Sequence, residues 1–475
     1  MQTRELPLSL APWALFRVLA RKERPFLIDA ARPSGDEWVS CMGFRPRMQL
    51  RVRAGDTHAP GAIAALERAA ASIAPYRVRP AASRPVPFAG GAVVALAYEA
   101  KNEIERLPQT QPEEDGALRL DVGVYDAVVA YDHRRGRWMA ASWHLDAHAL
   151  DRYVEEVMDA AAAAPRDGAL SEKRGGRAAA PPWRASLDHD AYLASVERIR
   201  EYIAAGDVYQ ANLSLRLETM LAIPPLLAYE RLRAVQPVPF GAYLDLGDLQ
   251  ILSNSPELFL RRRGTSLETA PIKGTRRRGR NAREDADLVA ELRRDPKERA
   301  EHVMIVDLER SDLGRLCRTG SVHVERFAEV ASFRTVHHLV STVRGTLPDG
   351  IGAADLLRAT FPGGSITGAP KIRAMEVIDE VERGSRGIYT GTIGWIDASG
   401  NCDLNVAIRT AVVDRQRLRY GVGGGIVADS DPAREHEECR VKAEALRRAL
   451  AADEESAHRS AEPTTADAPP HRRAS

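Results

Sequence analysis

Cysteine is scarce in this 475-residue chain. Its four examples, Cys41, Cys317, Cys402 and Cys439, are far apart and form no C-x-x-C pair. That excludes a zinc ribbon and a secreted disulfide framework, and fits a reducing cytoplasm. Net charge is nearly absent as well: 67 Lys and Arg against 66 Asp and Glu leave +1, so nothing electrostatic points to nucleic acid or an anionic membrane as partner. No window reaches the ~18 to 20 uncharged apolar residues of a membrane span. The fairly apolar stretch Leu6 to Ala20 is broken by Pro7, Pro12 and Arg17 and lacks a small-residue cleavage site, so it reads as a first helix, not a signal peptide. The expectation is a soluble, cytoplasmic protein.

What is present is an ordinary globular composition, 44% apolar, ample for a large core. Residues 1–165 read as strand-rich, with strands at Phe26 to Ala30, Met48 to Val52, Ala92 to Tyr98 and Val122 to Tyr131, closed by a helix from Ala149 to Ala164. Residues 166–185 are rich in Gly, Pro and charge and read as a linker or surface loop. Residues 186–450 form the second region. It opens with a helix from Asp188 to Ala205, stopped by Gly206, and carries strands at Leu249 to Ser253, Gly391 to Asp397, Ala407 to Val413 and Leu418 to Val422. Short turns between strands favour an antiparallel sheet. Residues 451–475 have almost no large apolar residue and read as a disordered tail.

Several groupings could carry chemistry. Lys273 stands in P-I-K-G-T between a φ-locked proline and a glycine, just before Arg276-Arg277-Arg278, cations that could lower the amine's pKa and make it nucleophilic. A solvated lysine is the plain alternative. Asp295-Pro296 and Asp431-Pro432 open two helices in the same way, an N-cap carboxylate followed by proline. Glu298 and Glu301 lie on the first helix, Glu435 and Glu438 on the second. Glu298 could close a capping box and Glu438 could pair with Lys442. Equally, carboxylates from two elements could hold Mg²⁺, an oxygen-liganded ion that completes its shell with an anionic substrate.

Glycine is concentrated in two expected loops, Pro362 to Lys371 and Gly421 to Gly425, either of which could cradle an anion, though neither has the G-K-[ST] ending of a P-loop. Arg409, in the apolar run Val406 to Thr410, needs either an internal carboxylate or a ligand carboxylate. Glu257, among apolar neighbours, could be a general acid or a salt-bridged strand residue. His338 could polarise a substrate or be a satisfied core histidine.

Five motifs, A-E-H-V-M-I-V-D-L-E-R-S-D-L-G-R (300–315), P-G-G-S-I-T-G-A-P-K (362–371), Y-T-G-T-I-G (389–394), G-V-G-G-G-I-V-A-D-S-D-P (421–432) and the E-x-x-E-x-x-x-K ending at Lys442, together resemble the chorismate-utilising enzymes. The likeness extends N-terminally through P-F-A-G-G-A-V-V-A-L-A-Y-E (87–99) and V-Y-D-A-V-V-A-Y-D-H (124–133). It implies an α+β fold of large antiparallel sheets packed as a sandwich, with helices outside. Pro271 to Thr275 is similar to the form in aminodeoxychorismate synthase component I, whereas anthranilate synthases carry alanine where Lys273 stands. Gln210, in G-D-V-Y-Q-A-N-L, is similar to the ammonia-using members; the water-using ones carry lysine there.

The resemblance further implies that Glu301 and Glu438, supported by Glu298 and Glu435, bind Mg²⁺. Gln210, Thr275, His338, Thr367, Tyr389, Arg409, Gly423, Gly424, Gly425 and Lys442 would surround chorismate. Lys273 would be the covalent nucleophile and Glu257 the acid. Nothing in the chain resembles a glutaminase, so ammonia is expected from a separate glutamine amidotransferase subunit. Ser311 and Glu99 depart from the family's usual asparagine and aspartate.

Overall fold

The computed structural model describes residues 1–31, 38–73, 85–111, 113–164, 182–333 and 336–451. The expected linker (residues 166–181 of it) and the tail from 452 lie outside these residues. Two large sheets, of twelve and ten strands, are paired antiparallel throughout.

Strand residues point alternately to opposite faces, and here both faces are covered. Phe26, Ala242, Leu244 and Ile251 of the larger sheet meet Val93, Ala95, Ile393 and Trp395 of the smaller in the core between the sheets. The intervening residues Leu27, Tyr243 and Leu252 face the other way, into a core shared with helices such as His189–Ala204 and Pro432–Ala451. Ala92, Val94 and Leu96 join helices Ala62–Ile73 and Ala353–Thr360 on the far side of the smaller sheet. This four-layer arrangement explains why Gly91–Leu96 is buried at every position. Each fully buried large apolar side chain contributes roughly 1.5–3 kcal/mol.

The N-terminal region is not a separate body, for its strands complete both sheets. Phe26–Asp29 pairs with Phe240–Asp245, and Gly91–Leu96 pairs with Thr392–Asp397. Several expected elements are also redrawn. Leu6 to Ala20 holds the end of a strand, Gln2–Leu6, and then a helix, Pro12–Leu19. Val122 to Tyr131 is split between two strands, Leu118–Tyr125 and Ala127–Asp132, which belong to different sheets.

Ala407 to Val413 is likewise not one strand. Cys402–Val406 lies in the smaller sheet and Thr410–Asp414 in the larger, with the chain turning between them at Arg409, whose φ is 52°. A second crossing of the same kind joins Leu249–Ser255 to Leu258–Arg263 through Pro256 and Glu257. The two crossings are tied together: the Val406 amide donates to the Glu257 carbonyl at 3.1 Å and the Asn254 amide to the Arg409 carbonyl at 3.0 Å. The Glu257 carboxylate meets the Ile272 amide of the strand Ile272–Arg277, which carries Lys273.

Candidate active site

Helices Pro296–Gly314 and Pro432–Ala451 start as their sequence dictates. Asp295 accepts the amides of Lys297 and Glu298, Asp431 accepts that of Arg434, and a proline follows each cap. Glu298, Glu301, Glu435 and Glu438 therefore stand within the first two turns of their helices. Glu298 does not close a capping box; its carboxylate takes Arg276 at 3.1 Å.

Lys273 Nζ lies 3.0 Å from Glu301 Oε2. Burial alone would lower its ammonium, but Glu301, Glu438 and Glu298 outweigh burial and the net shift is upward. This corrects the expectation that the arginine run depresses the amine, since Arg276 turns toward Glu291, Asp295 and Glu298 instead. It also brings both acidic helices to one amine.

Glu438 pairs with Lys442 at 2.6 Å, and Lys442 Nζ also donates to the Gly423 carbonyl at 2.7 Å. Lys442 holds Glu438 below the usual carboxylate range. Glu435 accepts Ser430 Oγ at 2.7 Å, and burial raises it.

The second glycine cluster is not a loop. Gly421 and Gly423 to Gly425 lie within strand Arg417–Ile426, with Gly423 opposite Ser214, Gly424 opposite Leu213 and Gly425 opposite Asn212. A Cβ would crowd this strand's neighbours to different degrees. At Gly421 it would fall 2.1 Å from the Tyr389 ring, at Gly425 2.8 Å from the Gln210 amide carbon, and at Gly424 3.3 Å from Glu435 Oε2. The bare backbone of Gly424 thus floors the space beneath Glu435, Glu438 and Lys442.

The other expected loop is an irregular turn between Phe361 and helix Lys371–Val381, and its Gly368–Ala369 pairs with Gln210–Met220. Thr367 is fully buried, and its hydroxyl donates to the Gly363 and Gly364 carbonyls, which shapes the turn.

Among the described residues, Gln210 and His338 carry buried polar atoms without partners, and Arg409 has no ion pair. Gln210 is fully buried, and neither its amide oxygen nor its nitrogen is hydrogen-bonded. Arg409 forms no ion pair with a carboxylate among the described residues, although Glu257 is near enough to act on its charge, and burial lowers its pKa. His338 faces Thr275 Oγ1 at 3.0 Å and the Gly274 carbonyl at 3.1 Å through Nδ1, while its buried Nε2 is unpartnered. Burial, with Arg409 nearby, pushes the ring down to about 3, so it is neutral. Buried polar groups are normally satisfied, so the open atoms of Gln210 and His338 are available to a ligand. Glu257, 3% exposed, accepts weakly from the Ile272 amide at 3.5 Å, and burial raises it to about 7.

A buried pair that sequence reasoning missed pins this frame. Glu382 accepts the Ser214 amide at 2.7 Å, while Arg386 binds Glu382, the Asn212 carbonyl at 2.7 Å and the Ile366 carbonyl at 2.9 Å. The i,i+4 acid–base spacing was the available signal, but it reads as a surface pair until the helix is seen to end inside the core.

Among the described residues no three carboxylate, histidine or cysteine side chains are close enough to enclose a metal ion. The oxygen-only donors, divided between two helices, suit Mg²⁺, which keeps waters and shares its shell with substrate.

An arginine without an ion pair, an unpartnered glutamine and a neutral histidine, with a buried acid and a lysine framed by carboxylates, are groups able to receive a small anionic molecule. The chain belongs to the chorismate binding enzyme family, matching it over residues 24–448, and is an enzyme acting on chorismate. It is 40% identical to aminodeoxychorismate synthase component 1 of Bacillus subtilis over 78% of both chains. It is 42% identical to anthranilate synthase component 1 of Thermus thermophilus, over 77% of this chain and 78% of that one. Against the aminodeoxychorismate synthase of Streptomyces griseus it is 40% identical over 90% of its own length but only 61% of the other's. The crystal structure of anthranilate synthase component I from Streptococcus pneumoniae superposes with a TM-score of 0.73 at 30% identity, covering 87% of this chain and 93% of that one. The α+β sandwich expected from sequence is the fold observed. No described helix is long and apolar enough to cross a membrane.

Proposed function

We propose that this chain is the catalytic subunit of an aminodeoxychorismate synthase, converting chorismate and ammonia to 4-amino-4-deoxychorismate and water. The observation that carries this reading is Lys273, whose amine is turned into the site against Glu301 at 3.0 Å and not out to solvent. Its place in 4-aminobenzoate and folate biosynthesis, and in the cytoplasm, belongs to the same proposal.

Arg409, with the bare strand at Gly423 to Gly425, would hold the enolpyruvyl carboxylate in bidentate fashion. Glu301 and Glu438, with Glu298 and Glu435 behind them, would hold Mg²⁺, which when bound supplies Lewis-acid polarisation at the ring carboxylate. Lys273 must part from Glu301 and lose a proton before it attacks. Its nitrogen then bonds to the ring carbon beside the carboxylate-bearing one, the double bond shifts, and the 4-hydroxyl departs as water with the proton of Glu257. Ammonia next adds at C4 and the lysine nitrogen leaves with the returning electron pair. Dividing one substitution into two is the gain of covalent catalysis. Gln210, buried and unpaired, would hold ammonia, supplied by a separate glutamine amidotransferase.

Anthranilate synthase is the second reading, favoured by similar identity to such enzymes. Incubation with chorismate, Mg²⁺ and ammonium decides. The expected product is 4-amino-4-deoxychorismate without pyruvate; pyruvate with fluorescent anthranilate overturns the proposal.

A further inference from the structure

Tyr98 and Lys101 lie three apart on the short 3₁₀ helix Tyr98–Glu103, which follows strand Gly91–Leu96. Residues so spaced on such a helix eclipse one another, and the Lys101 amine rests 5.2 Å from the centre of the Tyr98 ring. Both side chains are almost wholly buried, Lys101 at 4% exposure and Tyr98 at 3%. Both line a cavity of about 320 Å³ that includes none of the proposed chorismate ligands. Lysine is almost never buried without an ion pair, yet Lys101 forms none among the described residues. Its hydrogen bond goes to the neutral Asn102 Oδ1 at 2.8 Å, which leaves ammonium donors over. Glu99 and Asp379 act on its charge from farther off, but burial outweighs them and lowers the amine's pKa. Neighbouring charges are already committed: Arg119 holds Glu113 at 2.8 and 2.9 Å, Arg386 holds Glu382, and Asp379 takes the Thr110 amide and hydroxyl. The Tyr98 hydroxyl is buried without a partner.

We propose that this cavity is a second ligand site, which takes a small monocarboxylate on Lys101. The class follows from the walls. A carboxylate supplies the missing counter-charge and accepts the ammonium donors left over. Ala54, Ile378 and the Tyr98 ring offer apolar contact to the rest of the molecule. Glu113, Asp115 and Asp379 on the same walls disfavour a dianion such as phosphate. The volume stands at the lower end of the roughly 300–1,000 Å³ of small-molecule sites. The inference does not depend on which reaction chorismate undergoes.

Benzoate is the probe, followed by ligand-observed NMR and by thermal melting. The background is Arg409→Met, which removes the arginine assigned to chorismate and so separates the two sites. Benzoate should bind this chain and raise its melting temperature. Adding Lys101→Met should weaken binding on the order of tenfold. Without ligand the same change should leave the melting temperature equal or higher, because it removes a buried charge that has no ion pair, and that result also shows that the variant folds. Lys101→Gln, uncharged and polar, repeats the comparison with a second side chain. Equal binding with and without the Lys101 amine overturns the proposal, and so does the absence of binding. Binding by wild type that Arg409→Met abolishes puts benzoate in the chorismate site and defeats it as well. Inorganic phosphate held through Lys101 in preference to benzoate overturns the monocarboxylate assignment.

Discussion

Glu257 and Arg409 occupy adjacent crossings between the two sheets, joined by the bond from the Val406 amide to the Glu257 carbonyl. The acid and the unpaired guanidinium are thus fixed by backbone that cannot shift without disturbing both sheets. Charge and burial act on Glu257 in opposite senses: burial raises it, Lys273 and Arg409 lower it, and it rests at about 7. Below that pH it carries the proton a leaving hydroxyl needs.

Glu257→Gln should therefore lower kcat by roughly 10²–10⁴-fold, the usual weight of a general acid. In the wild type, the chemical step should decline as pH rises through about 7, because the acid form is lost. Single-turnover rates against pH check both points; the declining limb should be absent in the variant.

Lys273→Ala should abolish amination while leaving KM for chorismate little changed, the pattern of a group needed for the reaction and not for binding. Intact mass spectrometry of wild type quenched during turnover should show a lysine adduct that the variant lacks. Unimpaired turnover by the variant would show the amine to be dispensable.

Chelation should stop turnover without unfolding the chain, because each candidate ligand already has an internal partner: Glu301 with Lys273, Glu438 with Lys442, Glu298 with Arg276 and Glu435 with Ser430. Added Mg²⁺ should restore it. Glu301→Gln and Glu438→Gln should each raise the Mg²⁺ concentration required, and circular dichroism with an activity titration separates loss of metal from loss of fold.

Stability should fall as the solution turns alkaline. Burial raises Glu99 and Glu257 from 4.5 to about 7, and Glu309, bonded to Thr269, to about 8. These carboxyls bind protons more tightly folded than unfolded, so stability drops as pH climbs from 4.5 through 8. Glu284 has the opposite sign: Arg277 and Arg280 hold it at about 2, and its contribution is lost below the ordinary carboxylate range. The melting temperature should peak at about pH 5 and decline toward pH 8. Glu309→Gln should flatten that decline.

Gly421→Ala drives a methyl into the Tyr389 ring and should cost about 1–3 kcal/mol by overpacking. Gly425→Ala meets the movable end of Gln210 instead. It should leave melting nearly unchanged and raise KM for ammonium, as steady-state kinetics will show.

Much of this was legible in the sequence because it is local. Asp188 caps its helix at 2.8 Å from the Ala191 amide, and Gly206 ends it with φ +83°. Lys273, the two acidic helix starts and Glu257 stood out through neighbours in the chain. The misread segments share one cause. An apolar run such as Ala407 to Val413 looks the same whether it continues in one sheet or turns a corner into another, and glycines suggest a loop unless their cross-strand partners are known. Gly421 to Gly425 is strand because Gln210 and Tyr389 fill the space side chains would take. The merging of two expected regions into common sheets likewise rests on pairings between distant strands.

Those pairings also constrain how the chain is made. Arg386 and Glu99, which meet through the Arg386 amide and the Glu99 carboxylate at 2.7 Å, are 287 positions apart, and strand Gly91–Leu96 waits for Thr392–Asp397. A ribosome must therefore deliver most of the polypeptide before either sheet can close. Until then the nascent N-terminal strands have open edges that favour association with other chains. Folding of the N-terminal strands should therefore follow, not accompany, their synthesis.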